Sequence, residues 1–149
     1  MDEIRAISAA EVLQLRHTLL RPDLPADKLV YPGDLDDDAG HYGAFVDGTL
    51  VGIASVYEMG ESFEREPGIW RLRGMAVEEH LRGRGLGARL VLATFDHARR
   101  HGGTLYWCQA RTVARGFYER LGLEAVGDEF IVPNVGPHYI MRIRLDDQV

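Results

Sequence analysis

The stretch Gly74-Met75-Ala76-Val77-Glu78-Glu79-His80-Leu81-Arg82-Gly83-Arg84-Gly85-Leu86-Gly87 decides how this 149-residue chain is read. Its first four residues end an apolar, strand-like run from Ile69 to Val77. After it, Leu86, Leu90, Ala93 and His97 lie along one face of a helix that Gly102-Gly103 stops. Three glycines alternate at the helix entrance. Glycine lets a backbone approach a ligand without Cβ interference, and the free amides of a first helical turn carry partial positive charge. Phosphate suits such a cradle, and Arg82 and Arg84 add the side-chain charge expected beside a pyrophosphate. Taken alone, the spacing also describes a turn that merely requires positive φ angles.

Working outward, Ile4 to Ile7 reads as a short strand, and Ser8-Ala9-Ala10-Glu11 has the spacing of a reciprocal helix cap. The helix it opens carries Val12, Leu15 and Leu19 on one face and ends at Pro22. Residues 22–41 form a long irregular stretch with an acidic cluster, Asp34, Asp36, Asp37 and Asp38. Tyr42 to Val46 and Leu50 to Tyr57 are strands joined at Asp47-Gly48-Thr49, a hairpin turn with positive φ. Past the central unit, Thr104 to Gln109 reads as a buried strand. A helix over Thr112 to Leu121 then places Ala114, Phe117, Tyr118 and Leu121 on one face, and Leu123 to Ile131 and Tyr139 to Leu145 complete a mixed α/β pattern. No repeat or linker divides the chain, which is expected to be one domain over 1–149.

Two phosphate motifs fail. Walker A requires a lysine that the glycine loop lacks, Lys28 being the sole lysine. The dinucleotide fingerprint is formally met by Gly83, Gly85 and Ala88, but it belongs at the first βαβ unit with an acidic residue at the next strand end, where this chain has Cys108-Gln109-Ala110.

Arg82-x-x-Gly85-x-Gly87, after a strand ending Met75-Ala76-Val77, resembles the pyrophosphate motif of the GCN5-related N-acetyltransferases. Ala114-Arg115-Gly116-Phe117-Tyr118-Glu119-Arg120-Leu121-Gly122-Leu123 is similar to a second segment of that family. Gly136-Pro137-His138-Tyr139-Ile140-Met141 resembles a closing strand in one bacterial branch, and the Leu15-Arg16 to Arg21-Pro22 helix end and the Pro32-Gly33-Asp34 loop fit the same branch. The resemblance implies a mixed, largely antiparallel sheet of six to seven strands with helices on both faces, strands 4 and 5 being parallel and splayed. It implies acetyl coenzyme A as co-substrate, its pantetheine arm paired with Met75, Ala76 and Val77 and its pyrophosphate on Arg82, Gly83, Arg84, Gly85, Leu86 and Gly87. Where many members carry a cofactor-contacting asparagine seven residues before the tyrosine, this chain has Arg111, whose charge suits a phosphate.

The chemistry implied is direct attack by a primary amine, of a small molecule or a peptide, in a ternary complex. A non-catalytic acyl-coenzyme A binding module is the alternative. Tyr118 is the expected acid toward the leaving thiolate, its reference pKa near 10 being comparable to that of an alkyl thiol. For the base, Glu78 follows the cofactor strand together with Glu79, and His41 ends the acidic stretch; Glu78 is taken as the candidate. Cys108, the sole cysteine, lies in an apolar strand without a histidine at diagnostic spacing and reads as a buried, inert thiol. His80, His97, His101 and His138 show no ligand pattern, and a calcium loop at Asp34 fails because Ala39 and Phe45 occupy its glycine and glutamate positions, so no metal is expected.

Charge is unevenly distributed. Residues 1–64 carry four basic and thirteen acidic residues, residues 65–120 eleven and five, and residues 121–149 two and five, within a total of −6. The total disfavours a nucleic-acid partner, while the basic middle fits an anionic cofactor. The acidic stretch reads by default as a solvated loop; the sharper expectation is that, with the helix before it, it overhangs the acceptor site and favours a cationic amine. A single cysteine, an acidic N-terminus and no apolar run near the roughly 20 residues needed to span a bilayer point to a cytoplasmic protein without membrane contact. A monomer or homodimer is expected.

Overall fold

The computed structural model describes residues 1–146. Seven strands form one sheet in the order β1-β2-β3-β4-β5-β7-β6. They are β1 (Asp2–Ala6), β2 (Gly40–Val46), β3 (Thr49–Glu58), β4 (Ile69–Val77), β5 (Leu105–Arg111), β6 (Glu124–Val132) and β7 (Gly136–Arg144). Every neighbouring pair is antiparallel except β4 and β5. The β2–β3 hairpin turns at Asp47 (φ 50°) and Gly48 (φ 83°), as the Asp-Gly pair predicts.

Helix α1 (Leu13–Leu15) follows the predicted cap: the Ser8 amide donates to the Glu11 carboxylate at 2.8 Å and the Glu11 amide to Ser8 Oγ at 3.3 Å. The predicted continuous helix to Pro22 does not form. Arg16–Leu20 is a wider π turn, closed by the Arg21 amide donating to the Arg16 carbonyl at 2.9 Å. Arg16 opens that turn and is fully buried, its guanidinium donating to Asp34 Oδ2 (2.6 Å), Asp34 Oδ1 (3.1 Å), the Leu29 carbonyl (2.7 Å) and Ser55 Oγ (2.9 Å). Long-range pairing thus overrides local periodicity. It also ties down the stretch that reads as solvated loop, which contains a 3₁₀ turn at Ala26–Leu29 and buries Asp34.

Helix α2 (Leu86–Arg100) covers one face of the sheet, where Leu86, Leu90, Val91 and Phe95 pack with Val56, Trp70, Leu72, Tyr106 and Met141. Helix α3 (Arg115–Arg120) follows a 3₁₀ turn, Thr112–Ala114, and shares that core through Tyr118 and Phe117. The α1 segment lies on the other face, with Val12 and Leu15 on Ile53 and Ala76.

Two irregularities create the site. The parallel pairing of β4 with β5 spans only Ile69–Leu105, Trp70–Tyr106 and Arg71–Trp107, beyond which the strands part. In β4, register slips between Ile53–Ala76 and Ser55–Arg73, so an extra residue bulges at Gly74. Gly74 has φ +69°, and a Cβ there would stand 3.1 Å from Arg16 Nε and 3.4 Å from the Tyr31 ring, so both conformation and space require glycine.

Candidate active site

Two adjoining cavities occupy the parting of β4 and β5. The larger, about 650 Å³, is lined by Met75, Ala76, Val77, Arg82, Gly83, Gly85, Leu86, Gly87 and Arg111, which are all the residues expected at the cofactor except Arg84. Gly83 and Gly85 hold φ of +88° and +82° with no atom within 4 Å of an added Cβ. Gly85 is the N-cap of α2 and supplies no side-chain acceptor, so the first-turn amides are left for a ligand. Arg82 Nε donates to the Val77 carbonyl at 3.2 Å, fixing the loop to the strand end. Arg84 instead pairs with Asp2 (2.6 and 3.3 Å) on the exposed rim. An anionic, extended group fits this cavity: the amides and Arg82, Arg111 and Arg120 meet its charge, and Leu86 and Phe117 its apolar part.

The smaller cavity, about 260 Å³, shares Leu20, Met75, Arg111 and Ala114 with the first. Tyr118 reaches it from α3, with Cys108 and Gln109 from β5, Arg71 and Arg73 from β4, and His138 from β7. The π turn contributes Leu19 to the larger cavity and Leu20 to both. Sequence pattern alone does not mark Arg71, Arg73, Gln109 and His138 as site residues. The local signal for the first two is the alternation of arginines inside an otherwise apolar strand, and for His138 the closing-strand motif.

Burial changes what these groups can do. Tyr118 is 7% exposed, and desolvation pushes its phenol well above the ordinary tyrosine range. It stays protonated, so proton transfer to a thiolate is not the balanced exchange its reference pKa suggests. Cys108 is 2% exposed and burial drives its thiol to about 12, which makes it a poor nucleophile. His138 is 6% exposed and stacks with Phe130. Its Nδ1 donates to the Gly136 carbonyl at 2.8 Å, so in the neutral ring Nε2 is the acceptor nitrogen.

The proposed bases are not brought to the cavities. Glu78 lines neither; it follows β4 with its carboxylate 3.7 Å from His80 Nε2. His41 spends both ring nitrogens, Nδ1 on Ser55 Oγ (2.7 Å) and Nε2 on the Asp34 carbonyl (2.9 Å). The acidic stretch is likewise committed elsewhere. Asp34 neutralises Arg16, Asp36 and Asp38 pair with Arg65, and none of Asp34, Asp36, Asp37 and Asp38 lines the smaller cavity.

A helix entrance with open first-turn amides lies beside a splayed parallel strand pair and opens onto a second small cavity, an arrangement that suits an anionic, extended cofactor next to a small second substrate. The chain matches the Acetyltransferase (GNAT) family over residues 6–123 and belongs to it. It is 33% identical over 141 residues to the uncharacterized N-acetyltransferase YitI of Bacillus subtilis, covering 95% of each chain. Its fold is that of Escherichia coli ElaA (TM-score 0.75, 21% identity, 95% of this chain and 99% of that one). It is also that of an aminoglycoside 6'-N-acetyltransferase solved with coenzyme A (TM-score 0.74, 16% identity, 96% and 97%). The protein is therefore an acetyl-coenzyme A-dependent N-acetyltransferase of this family. Among the described residues no helix is long and apolar enough to cross a membrane.

Proposed function

We propose that this enzyme transfers acetyl from acetyl coenzyme A to a primary amine by direct attack within a ternary complex. One observation carries the reading: the two cavities abut at Met75, Arg111 and Ala114, so donor and acceptor meet without an intervening enzyme nucleophile. The lone thiol beside them, Cys108, is held protonated by burial, which supports transfer without an acyl-enzyme.

Bound acetyl coenzyme A supplies the activated thioester. The parting of the strands frees the β5-facing edge of β4 from Leu72 to Val77 to pair with an extended arm, and the amides at the start of α2 hold the pyrophosphate. His138 takes the amine's proton at Nε2, its ring oriented by Gly136 and Phe130. Tyr118 donates its hydroxyl proton in a hydrogen bond to the departing sulfur; because burial holds that proton tightly, it stabilises developing charge more than it surrenders the proton. Arg111, at the end of β5, faces both cavities and meets a phosphate in the larger one. The domain spans the chain and works in the cytoplasm, where a lone reduced cysteine is at home.

Thiol release from acetyl coenzyme A with a panel of primary amines tests the reading. Release that depends on the amine, with a matching N-acetyl product, is the expected result. Coenzyme A binding without release on any amine identifies a binding module instead.

A further inference from the structure

The smaller cavity is lined by four arginines, Arg21, Arg71, Arg73 and Arg111, and by no aspartate or glutamate. Arg21 is satisfied, since Asp23 accepts from it at 2.8 and 3.0 Å. Arg71 is not. It is 5% exposed, its Nε has no hydrogen-bond partner, and its Nη1 reaches only Met59 Sδ at 3.7 Å. The rings of Trp107 and Phe63 flank it at 4.9 and 5.2 Å. The strongest electrostatic influences of its neighbours come from Tyr57, Arg73, Cys108 and Tyr31, none of them a carboxylate, and Arg73 repels it.

Arg73 lies two residues along on the same face of β4, its guanidinium 3.8 Å from the centre of the Tyr31 ring. Among the described residues it too has no carboxylate within ion-pair reach. Arg16 provides the contrast. It lies against the same tyrosine ring at 4.0 Å, yet Asp34 neutralises it with two hydrogen bonds. The fold therefore supplies a carboxylate to the guanidinium it uses as structure, and leaves two beside the empty space without one.

A guanidinium does not shed its proton in a protein, so burial without a counter-ion is a standing cost. An anion entering the cavity relieves it, and the planar fork of arginine matches a carboxylate through two parallel hydrogen bonds. We propose that the acceptor is a small amine that also carries a carboxylate, bound by Arg71 and Arg73 in the cavity beside Tyr118. This rests on the acetyltransferase reading above and replaces the expectation of a cationic acceptor: the arginines repel a second positive charge and leave one neutral amine to be presented to the thioester. The volume, about 260 Å³, suits a molecule of amino-acid size.

The test compares matched acceptors, each an amino acid, its primary amide and its aminophosphonate analogue, with rates corrected for the free-amine fraction. The carboxylate is expected to exceed the amide by about tenfold to a hundredfold in kcat/KM, chiefly through KM, as charge-assisted hydrogen bonds predict. Arg71→Gln and Arg73→Gln should collapse that ratio while coenzyme A still raises Tm. Should Arg71→Gln fail to fold, the more exposed Arg73→Gln decides. Equal rates on acid and amide, a preference for cationic amines, a preference for the phosphonate, or an undiminished ratio in folded variants would each overturn the proposal. Calorimetric titration of the N-acetyl amino acid against its amide into the coenzyme A-bound protein separates the two readings. If no amine is acetylated, the transferase reading fails, and tighter binding of the acid still supports the carboxylate site while equal binding rejects it.

Discussion

Arg71 and Trp107 are the last residues paired between β4 and β5, and the guanidinium of one lies 4.9 Å from a ring centre of the other. Below this pair the sheet is continuous. Above it the pairing stops, and β4 bulges at Gly74 within the same stretch. Both cavities occupy the gap so formed and share Met75, one lined by four arginines and the other by the N-terminus of α2.

Tyr118 reaches the acceptor cavity with its hydroxyl proton held by burial. Tyr118→Phe removes that donor without altering the α2 cradle. Its kcat should fall by about a hundredfold or more, the usual scale for a positioned acid, with coenzyme A affinity changed by less than about twofold. Steady-state kinetics beside calorimetry check both halves.

Gly85 caps α2 at φ +82° with open space around it. In Gly85→Ala the clash is with the residue's own backbone, so a cost of about 1–2 kcal/mol is expected. Coenzyme A should bind more weakly because the first-turn amides lose their aim. Urea unfolding and a thermal-shift titration with coenzyme A measure the two effects.

Much of this was legible in the sequence, and the failures share one cause. The Gly83, Gly85 and Gly87 spacing, the α2 face and the Asp47-Gly48 turn are local, so backbone stereochemistry alone reveals them. Arg16 and Asp34 are 18 residues apart and meet only in the folded core. Local periodicity accordingly misses the π turn, the burial of Asp34 and the loss of both His41 nitrogens to hydrogen bonds. Glu78 is near Val77 in sequence but outside both cavities, whereas His138 arrives from β7 through its pairing with Arg111 across the β5–β7 ladder.

Asp34 is the counter-ion of a fully buried guanidinium. Asp34→Ala leaves Arg16 charged and unpaired, and should destabilise the protein by about 3–5 kcal/mol. Denaturant unfolding should show a shifted midpoint with an unchanged slope.

His97 is 8% exposed; its Nε2 donates to the Asp38 carbonyl at 2.7 Å and its Nδ1 accepts from the Tyr42 hydroxyl at 2.8 Å. Burial lowers its pKa below the ordinary histidine value of 6.5. In the window below that value the unfolded chain binds more protons than the native one, so stability is present above it and declines as pH falls through the window. His97→Gln should flatten this part of a stability-against-pH curve measured by urea unfolding.

Direct transfer between the two cavities is the central claim, and initial-velocity kinetics on the protein and its Cys108→Ala variant test it. Varying acetyl coenzyme A at several fixed acceptor concentrations should give intersecting double-reciprocal lines for both proteins, with turnover retained in the variant. Parallel lines, or turnover abolished in a folded Cys108→Ala, would mean that acetyl passes through the enzyme and would contradict the account.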